Sequence, residues 1–321
     1  PDCVTYRRCG GCNLRHVDYE ETLNIKQNAV QSLVNKTLKN PIEVKKTVAM
    51  GNPYNYRNKL QFPVGIDKNG EPIIGVFANR THEIIPIHGC AIQDIKSIQI
   101  AKYVVDAIKE FNLSVYDEKT GKGLMRHVVV KAAKSTEQYM VILVINANEL
   151  PHAKEIARSL VGACHSIVSV VVNINMKNTN VILGDKNITV YGRDYIIDRL
   201  GDYFFKISPL SFYQVNPIQA EALYNYAIEA AGITKNDIVF DLYCGIGTIS
   251  IFVANSAKEV YGVEIVQQAI EMAKENAKEN EINNTHFIAG DTEVVLTDLI
   301  EKQHIIPDVI VVDPPRKGLD K

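Results

Sequence analysis

Residues 238–251 read Ile-Val-Phe-Asp241-Leu-Tyr243-Cys244-Gly245-Ile-Gly247-Thr-Ile-Ser250-Ile. An apolar run closes on an acid, two glycines turn the chain, and an apolar helix start follows. This order of residue types predicts a parallel strand, a loop and a helix N-terminus. It is the layout that seats an adenosine-containing cofactor at the carboxyl edge of an α/β sheet. A dinucleotide fits poorly. Its G-x-G-x-x-G turn wants a third glycine where Ser250 stands. Asp241 would also repel a pyrophosphate on the helix N-terminus. A cofactor with an ammonium group and no phosphate suits the turn, and S-adenosylmethionine (SAM) has that chemistry.

Three more acids follow at regular places. Glu264 ends the apolar run 259–264, where a carboxylate reaches both ribose hydroxyls. Asp291 follows a third run and is placed for the adenine edge. Asp313 follows a fourth, at the head of Asp313-Pro314-Pro315-Arg316. Any one acid reads equally well as a helix cap. Four in series describe a line along the strand ends.

The 321 residues suffice for two or three domains, and no apolar run approaches a membrane span. The chain starts at Pro1, so a native start is expected upstream. Net charge is −2 overall, but residues 1–60 carry +5 and residues 232–321 carry −7. A polyanion should therefore meet the N-terminal part first.

Cys3, Cys9 and Cys12 form C-x5-C-G-G-C, and Cys90 follows in His88-Gly-Cys. Three clustered cysteines with a remote fourth suit an iron–sulfur cluster. A zinc site and disulfides are the alternatives, but a structural zinc site usually shows two C-x2-C pairs where this chain has one, and nothing in the sequence suggests an oxidising compartment. His16 is a further possible ligand. Helices are expected over 18–39, 93–111, 151–161 and 217–231. Strands are expected over 55–64, with Arg57, Lys59 and Gln61 on one face, and over 73–77. Residues 125–133 and 138–146 read as a hairpin. Further strands are expected over 166–175, 181–183, 188–191 and 193–200. In 207–217, Phe212 and Tyr213 read as core or as site residues, and Asn216 as a cap.

The motifs C-x5-C-G-G-C, Y-R-N-K, H-G-C, S-F-Y-Q-V-N, D-L-Y-C-G-x-G and D-P-P-R-K-G-L-D occur in this order along the chain. Together they resemble the SAM-dependent RNA uracil-5-methyltransferases, specifically the iron–sulfur branch acting on 23S rRNA. The resemblance implies an N-terminal iron–sulfur loop and helix (1–40) and a β-rich α+β RNA-binding domain (41–208) closed onto the loop by Cys90. A Rossmann-like α/β methyltransferase domain (209–321) follows. It implies a 4Fe–4S cluster on Cys3, Cys9, Cys12 and Cys90. SAM would lie against Gln214, Tyr243, Gly245, Gly247, Glu264, Asp291 and Asp313. RNA would meet Arg57, Lys59, Phe212 and Arg316.

The family's initial RNA-binding barrel has no counterpart here, nor does its S-C-N-P nucleophile or its later general base. The methyltransferase domain is therefore expected to be truncated, with the nucleophile beyond Lys321 and no catalytic residue within the chain. Neither Cys164 nor Cys244 is placed to add to a base. A protein of this kind is expected in the cytoplasm, as a monomer when complete. Three readings compete. An RNA cytosine-5-methyltransferase shares the thiolate chemistry. An amino-group methyltransferase would want an aromatic residue where Arg316 stands. A non-catalytic iron–sulfur RNA-binding module would need no nucleophile.

Overall fold

The architecture is described from a computed structural model, covering residues 3–79, 81–314 and 318. The chain divides into two compact units. The first comprises Pro1–Lys131, Val141–His165 and Val172–Val190; the second comprises Ala132–Met140, Ser166–Val171 and Tyr191–Lys321.

Helix α1 (Tyr19–Thr37) has Glu20 and Glu21 in its first turn and Lys36 in its last, matching the helix dipole. Strands β1 (Lys59–Ile66), β2 (Pro72–Phe77) and β3 (Ile84–Pro86) form an antiparallel meander. Leu60, Phe62 and Val64 are all buried on β1, as their alternation predicts. Helix α2 (Ile95–Glu110) starts at Asp94, whose Oδ2 accepts the Ser97 N–H at 2.8 Å.

Strand β4 (Met125–Ala133) and strand β5 (Gln138–Ile145) are neighbours and almost wholly buried. Helix α3 (Ala153–Ala163), strand β6 (Ile167–Ile174) and strand β7 (Lys186–Gly192) follow. The seven strands form one sheet in the order β3-β2-β1-β4-β5-β6-β7.

Residues 181–183, expected as a strand, are not one. Their backbone groups are satisfied by side chains instead. Asn175 Nδ2 donates to the carbonyls of Val181 and Ile182 at 2.7 and 2.9 Å. The Asn173 amide exchanges two bonds with Gly184. Two buried amides thus take the place of a ladder partner.

Strand β8 (Ile196–Leu200) is shorter than expected and pairs antiparallel with β9 (Tyr203–Ile207), which was not expected at all. Helix α4 (Pro217–Ala231) begins at Asn216, whose Oδ1 accepts the Gln219 N–H at 3.3 Å. It ends at Gly232, in the left-handed region.

Strand β10 (Ile238–Leu242), helix α5 (Thr248–Ala254), strand β11 (Glu259–Glu264), helix α6 (Gln267–Glu279), strand β12 (Thr285–Ala289), helix α7 (Thr292–Thr297) and strand β13 (Val309–Val312) alternate. The four strands are parallel, in the order β12-β11-β10-β13. The chain steps outward from β10 to β12 and then returns to β13 on the other flank. That reversal opens a crevice at the carboxyl ends of β10 and β13. No described helix is long and apolar enough to cross a membrane.

Candidate functional site

The turn from β10 into α5 lies at this crevice. Tyr243, Gly245 and Gly247 have φ of 66°, 56° and 80°, so the loop coils tightly. Gly247 needs both its conformation and its missing side chain. A Cβ there would sit 2.9 Å from the Phe287 ring and 3.1 Å from the Ala273 methyl. Asn276, fully buried on α6, holds the turn by donating from Nδ2 to the Ile246 carbonyl at 3.1 Å.

Asp241 is 1% exposed. Its Oδ2 accepts the Ser250 hydroxyl at 2.5 Å, while Oδ1 is buried with no hydrogen-bond partner. Burial pushes the carboxyl up to about 7, with Asp313 and Glu264 adding to it and the Ser250 bonds opposing. A cation at Oδ1 would restore the carboxylate. An ammonium group such as SAM carries is one such cation, so this carboxylate fits that cofactor.

Glu264, at the end of β11, braces the turn. Its Oε2 accepts the Gly245 N–H at 3.3 Å and its Oε1 the Val266 N–H at 3.0 Å. Asp313, following β13, accepts from Gln214 Nε2 at 3.3 Å. These two residues lie 99 positions apart in sequence. Asp291 caps α7, with Oδ1 accepting the N–H groups of Glu293 and Val294. Its cap role is thus the one the geometry displays.

Phe212 is 68% exposed, whereas Tyr213 is buried against Phe205. The core reading is right for Tyr213 and wrong for Phe212. Arg316 lies outside the described residues.

Tyr224 is a member that sequence reasoning missed. It is 4% exposed on α4. Its phenol lies 3.5 Å from Thr248 Oγ1 and bonds the Gln214 side chain, with Asp313 and Asp241 nearby. Burial first, then these carboxylates, push the phenol up. An apolar-spaced tyrosine on a helix gives no local sign of this role.

Cys244 is buried beneath the turn, its N–H bonded to the Val263 carbonyl at 3.0 Å. Burial, then Asp241 and Glu264, push its thiol far above the ordinary range. Such a thiol is not a nucleophile. Cys164 closes α3, its N–H bonded to the Leu160 carbonyl.

In the other unit, Cys3, Cys9, Cys12 and Cys90 line one cavity of about 200 Å³ with Arg15 and Arg57. The Gly11 N–H reaches Cys9 Sγ at 3.4 Å, and Cys9 forms a bridge with Ala78. Burial pushes the Cys9 and Cys12 thiols up, with Cys90 and Cys3 adding to both shifts. Among the described residues, no three His, Cys, Asp or Glu side chains stand as ligands of a single metal ion. His16 bonds the Tyr6 hydroxyl through Nδ1 at 2.5 Å.

Residues 18–321 match the family described as tRNA (Uracil-5-)-methyltransferase. The chain belongs to that family. Within it, an RNA methyltransferase of Clostridium tetani is 48% identical over 321 residues, all of this chain and 69% of that protein. One from Clostridium acetobutylicum is 47% identical, covering 100% of this chain and 70% of that protein. The fold matches the Pyrococcus abyssi tRNA (uracil-54, C5)-methyltransferase in complex with S-adenosyl-L-homocysteine. The TM-score is 0.78 at 25% identity, over 98% of this chain and 70% of that one. This uracil-5-methyltransferase family member is therefore a SAM-dependent RNA methyltransferase with a Rossmann-like α/β domain.

Proposed function

We propose that the protein transfers a methyl group from SAM to C5 of a uridine in 23S rRNA, in the cytoplasm. The observation that carries this reading is the placing of Asp241, Glu264 and Asp313 around one glycine turn at the strand-order reversal. SAM supplies an electrophilic methyl group on a sulfonium. Asp241 would receive the ammonium group at its unbonded oxygen. Glu264 would accept from the ribose hydroxyls while keeping the Gly245 bond. Tyr243 and Asp291 would flank the adenosine. Gln214, Asp313 and the exposed Phe212 would line the way to the target base.

C5 of uracil is a poor nucleophile. A thiolate must add to C6 so that C5 becomes enolate-like and takes the methyl group. A base then removes the C5 proton, and the thiolate is expelled. The base must also leave its stack. Cys244 is unfit for this addition for the reasons above, and no described residue is assigned as the nucleophile.

We further propose a 4Fe–4S cluster on Cys3, Cys9, Cys12 and Cys90. A cluster takes one cysteine at each of its irons, so its ligands stand farther apart than those around one ion. The cavity that the four cysteines line together supports this reading, as does the backbone N–H aimed at Cys9 Sγ. The cluster would tie the N-terminal loop to the Cys90 segment. Methyl transfer itself requires no electron.

The test compares nucleosides of 23S rRNA and tRNA from cells with and without the gene, by mass analysis. A 5-methyluridine lost from 23S rRNA alone is the expected result. Loss from tRNA would overturn the rRNA assignment, and loss of 5-methylcytidine would overturn the uracil assignment. An unchanged profile would favour the non-catalytic reading.

A further inference from the structure

Asp198, on β8, is a carboxylate in the core of its unit, 1% exposed. Its Oδ1 accepts the N–H and the hydroxyl of Ser135, in the turn between β4 and β5, at 3.1 and 2.5 Å. Ser135 Oγ in turn accepts the Arg199 N–H at 2.7 Å. Burial pushes the carboxyl up, and the Ser135 bonds oppose that shift. An apolar side chain in its place would avoid the desolvation. Tyr213 is buried, its ring 6.4 Å from that of Phe205 on β9. Its hydroxyl makes no hydrogen bond of good geometry. Asp198 stands within reach and acts on that hydroxyl by charge and by a loose hydrogen bond. Phenylalanine would fill the same volume without a poorly paired hydroxyl. The two groups are each costly alone, and each accounts for the other.

The neighbours of Tyr213 show what the pairing is for. Phe212 is exposed, and Gln214 Nε2 reaches Asp313 Oδ2 at the strand-end site. Three consecutive side chains thus turn outward, into the core and toward the acids. Residues 211–214 belong to no helix or strand, so no ladder fixes which of them takes the core seat. By hydrophobicity alone Phe212 is the better occupant. A slip by one residue would bury Phe212, lift Tyr213 and carry Gln214 away from Asp313. What favours Tyr213 in the seat is its hydroxyl facing Asp198. Selecting one register among several is the best-attested use of a buried polar contact.

We propose that Asp198 and Tyr213 are positioning residues for the strand-end site. The carboxylate selects tyrosine over phenylalanine for the core seat, which presents Gln214 to Asp313 and leaves Phe212 outside. Tyr224 completes the arrangement from α4, since its buried phenol bonds the Gln214 side chain. The functional consequence rests on the SAM reading of the site; the positioning itself does not.

The experiment observes glutamine side-chain amides by nitrogen–proton NMR on the full 321-residue chain. The Gln214 signal is assigned by its absence in Gln214→Leu. It should be single in wild type and shifted or doubled in Tyr213→Phe and in Asp198→Asn. Asp202→Asn is the control, an exposed acid next to the same strand that pairs with Arg199, and should leave the signal in place. Tyr213→Phe should melt no lower than wild type, because a poorly paired buried hydroxyl has gone. It should nevertheless bind S-adenosylhomocysteine about fivefold more weakly, the worth of roughly one hydrogen bond. The double variant Asp198→Asn/Tyr213→Phe should bind no more weakly than Tyr213→Phe alone, since both changes break one contact. A Gln214 signal unmoved in Tyr213→Phe would show a packing tyrosine and overturn the proposal. Losses that add in the double variant, or full affinity in Tyr213→Phe beside a binding wild type, would overturn it too. If the wild type takes up no S-adenosylhomocysteine while the Gln214 signal still moves, the positioning stands and only the cofactor reading fails.

Discussion

Gly247→Ala will destabilise the cofactor unit by about 2–5 kcal/mol, combining the costs of a strained backbone and an overpacked contact. The residue sits at φ 80°, where an L side chain is strained. Its new methyl would press on the Phe287 ring and on Ala273, two groups already packed against the turn. Gly245→Ala is the matched control. Its φ is 56°, but nothing lies within 4 Å of the added methyl. That variant should lose only the conformational part, about 1–2 kcal/mol. Chemical denaturation measures both. Equal losses would show that packing at Gly247 does not matter.

The second large effect is on metal content. Anaerobically purified wild-type chain should be brown and carry about four irons. Cys90→Ser should lose most of that iron, since a hard hydroxyl replaces the one remote thiolate. Cys90 also belongs to the segment that meets Asn55, whose Nδ2 donates to the Cys90 carbonyl at 3.3 Å. The loop 3–12 should then become more sensitive to protease than in wild type. Stoichiometric zinc without iron in the wild type would sink the cluster assignment and leave a zinc site in its place.

The cofactor domain was legible because each of its signals is local. An apolar run, an acid and a glycine turn are contiguous, and β10 is buried along nearly its whole length, as a central parallel strand is. Strand β11 ends on Glu264 as read, and β10 runs one residue past Asp241, to Leu242. Where the chain satisfies itself through distant side chains, the reading failed. Residues 181–183 look like a strand because Val-Ile-Leu is apolar, but Asn175 claims the carbonyls of Val181 and Ile182. Strand β9 was overlooked although Phe205 and Ile207 are buried and Phe204 is exposed, an alternation visible in the sequence.

Glu264 and Asp313 were singled out from their positions at or just after strand ends. Tyr224 and Asn276 act only through tertiary contacts with Gln214, Thr248 and Ile246, so no local pattern marks them. Asp291 shows the limit of position alone, since a strand-end acid and a helix cap share one sequence signature.

Calorimetric titration of S-adenosylhomocysteine into the 321-residue chain tests the strand-end cofactor site most directly. Wild type should bind one equivalent. Glu264→Ala should bind roughly ten- to a hundredfold more weakly, the loss of charge-assisted hydrogen bonds of about 1.5–3 kcal/mol. Glu264→Gln, which keeps an acceptor for the Gly245 N–H, should fall between them. No saturable binding by the wild type, or equal affinity for the wild type and Glu264→Ala, would contradict the account.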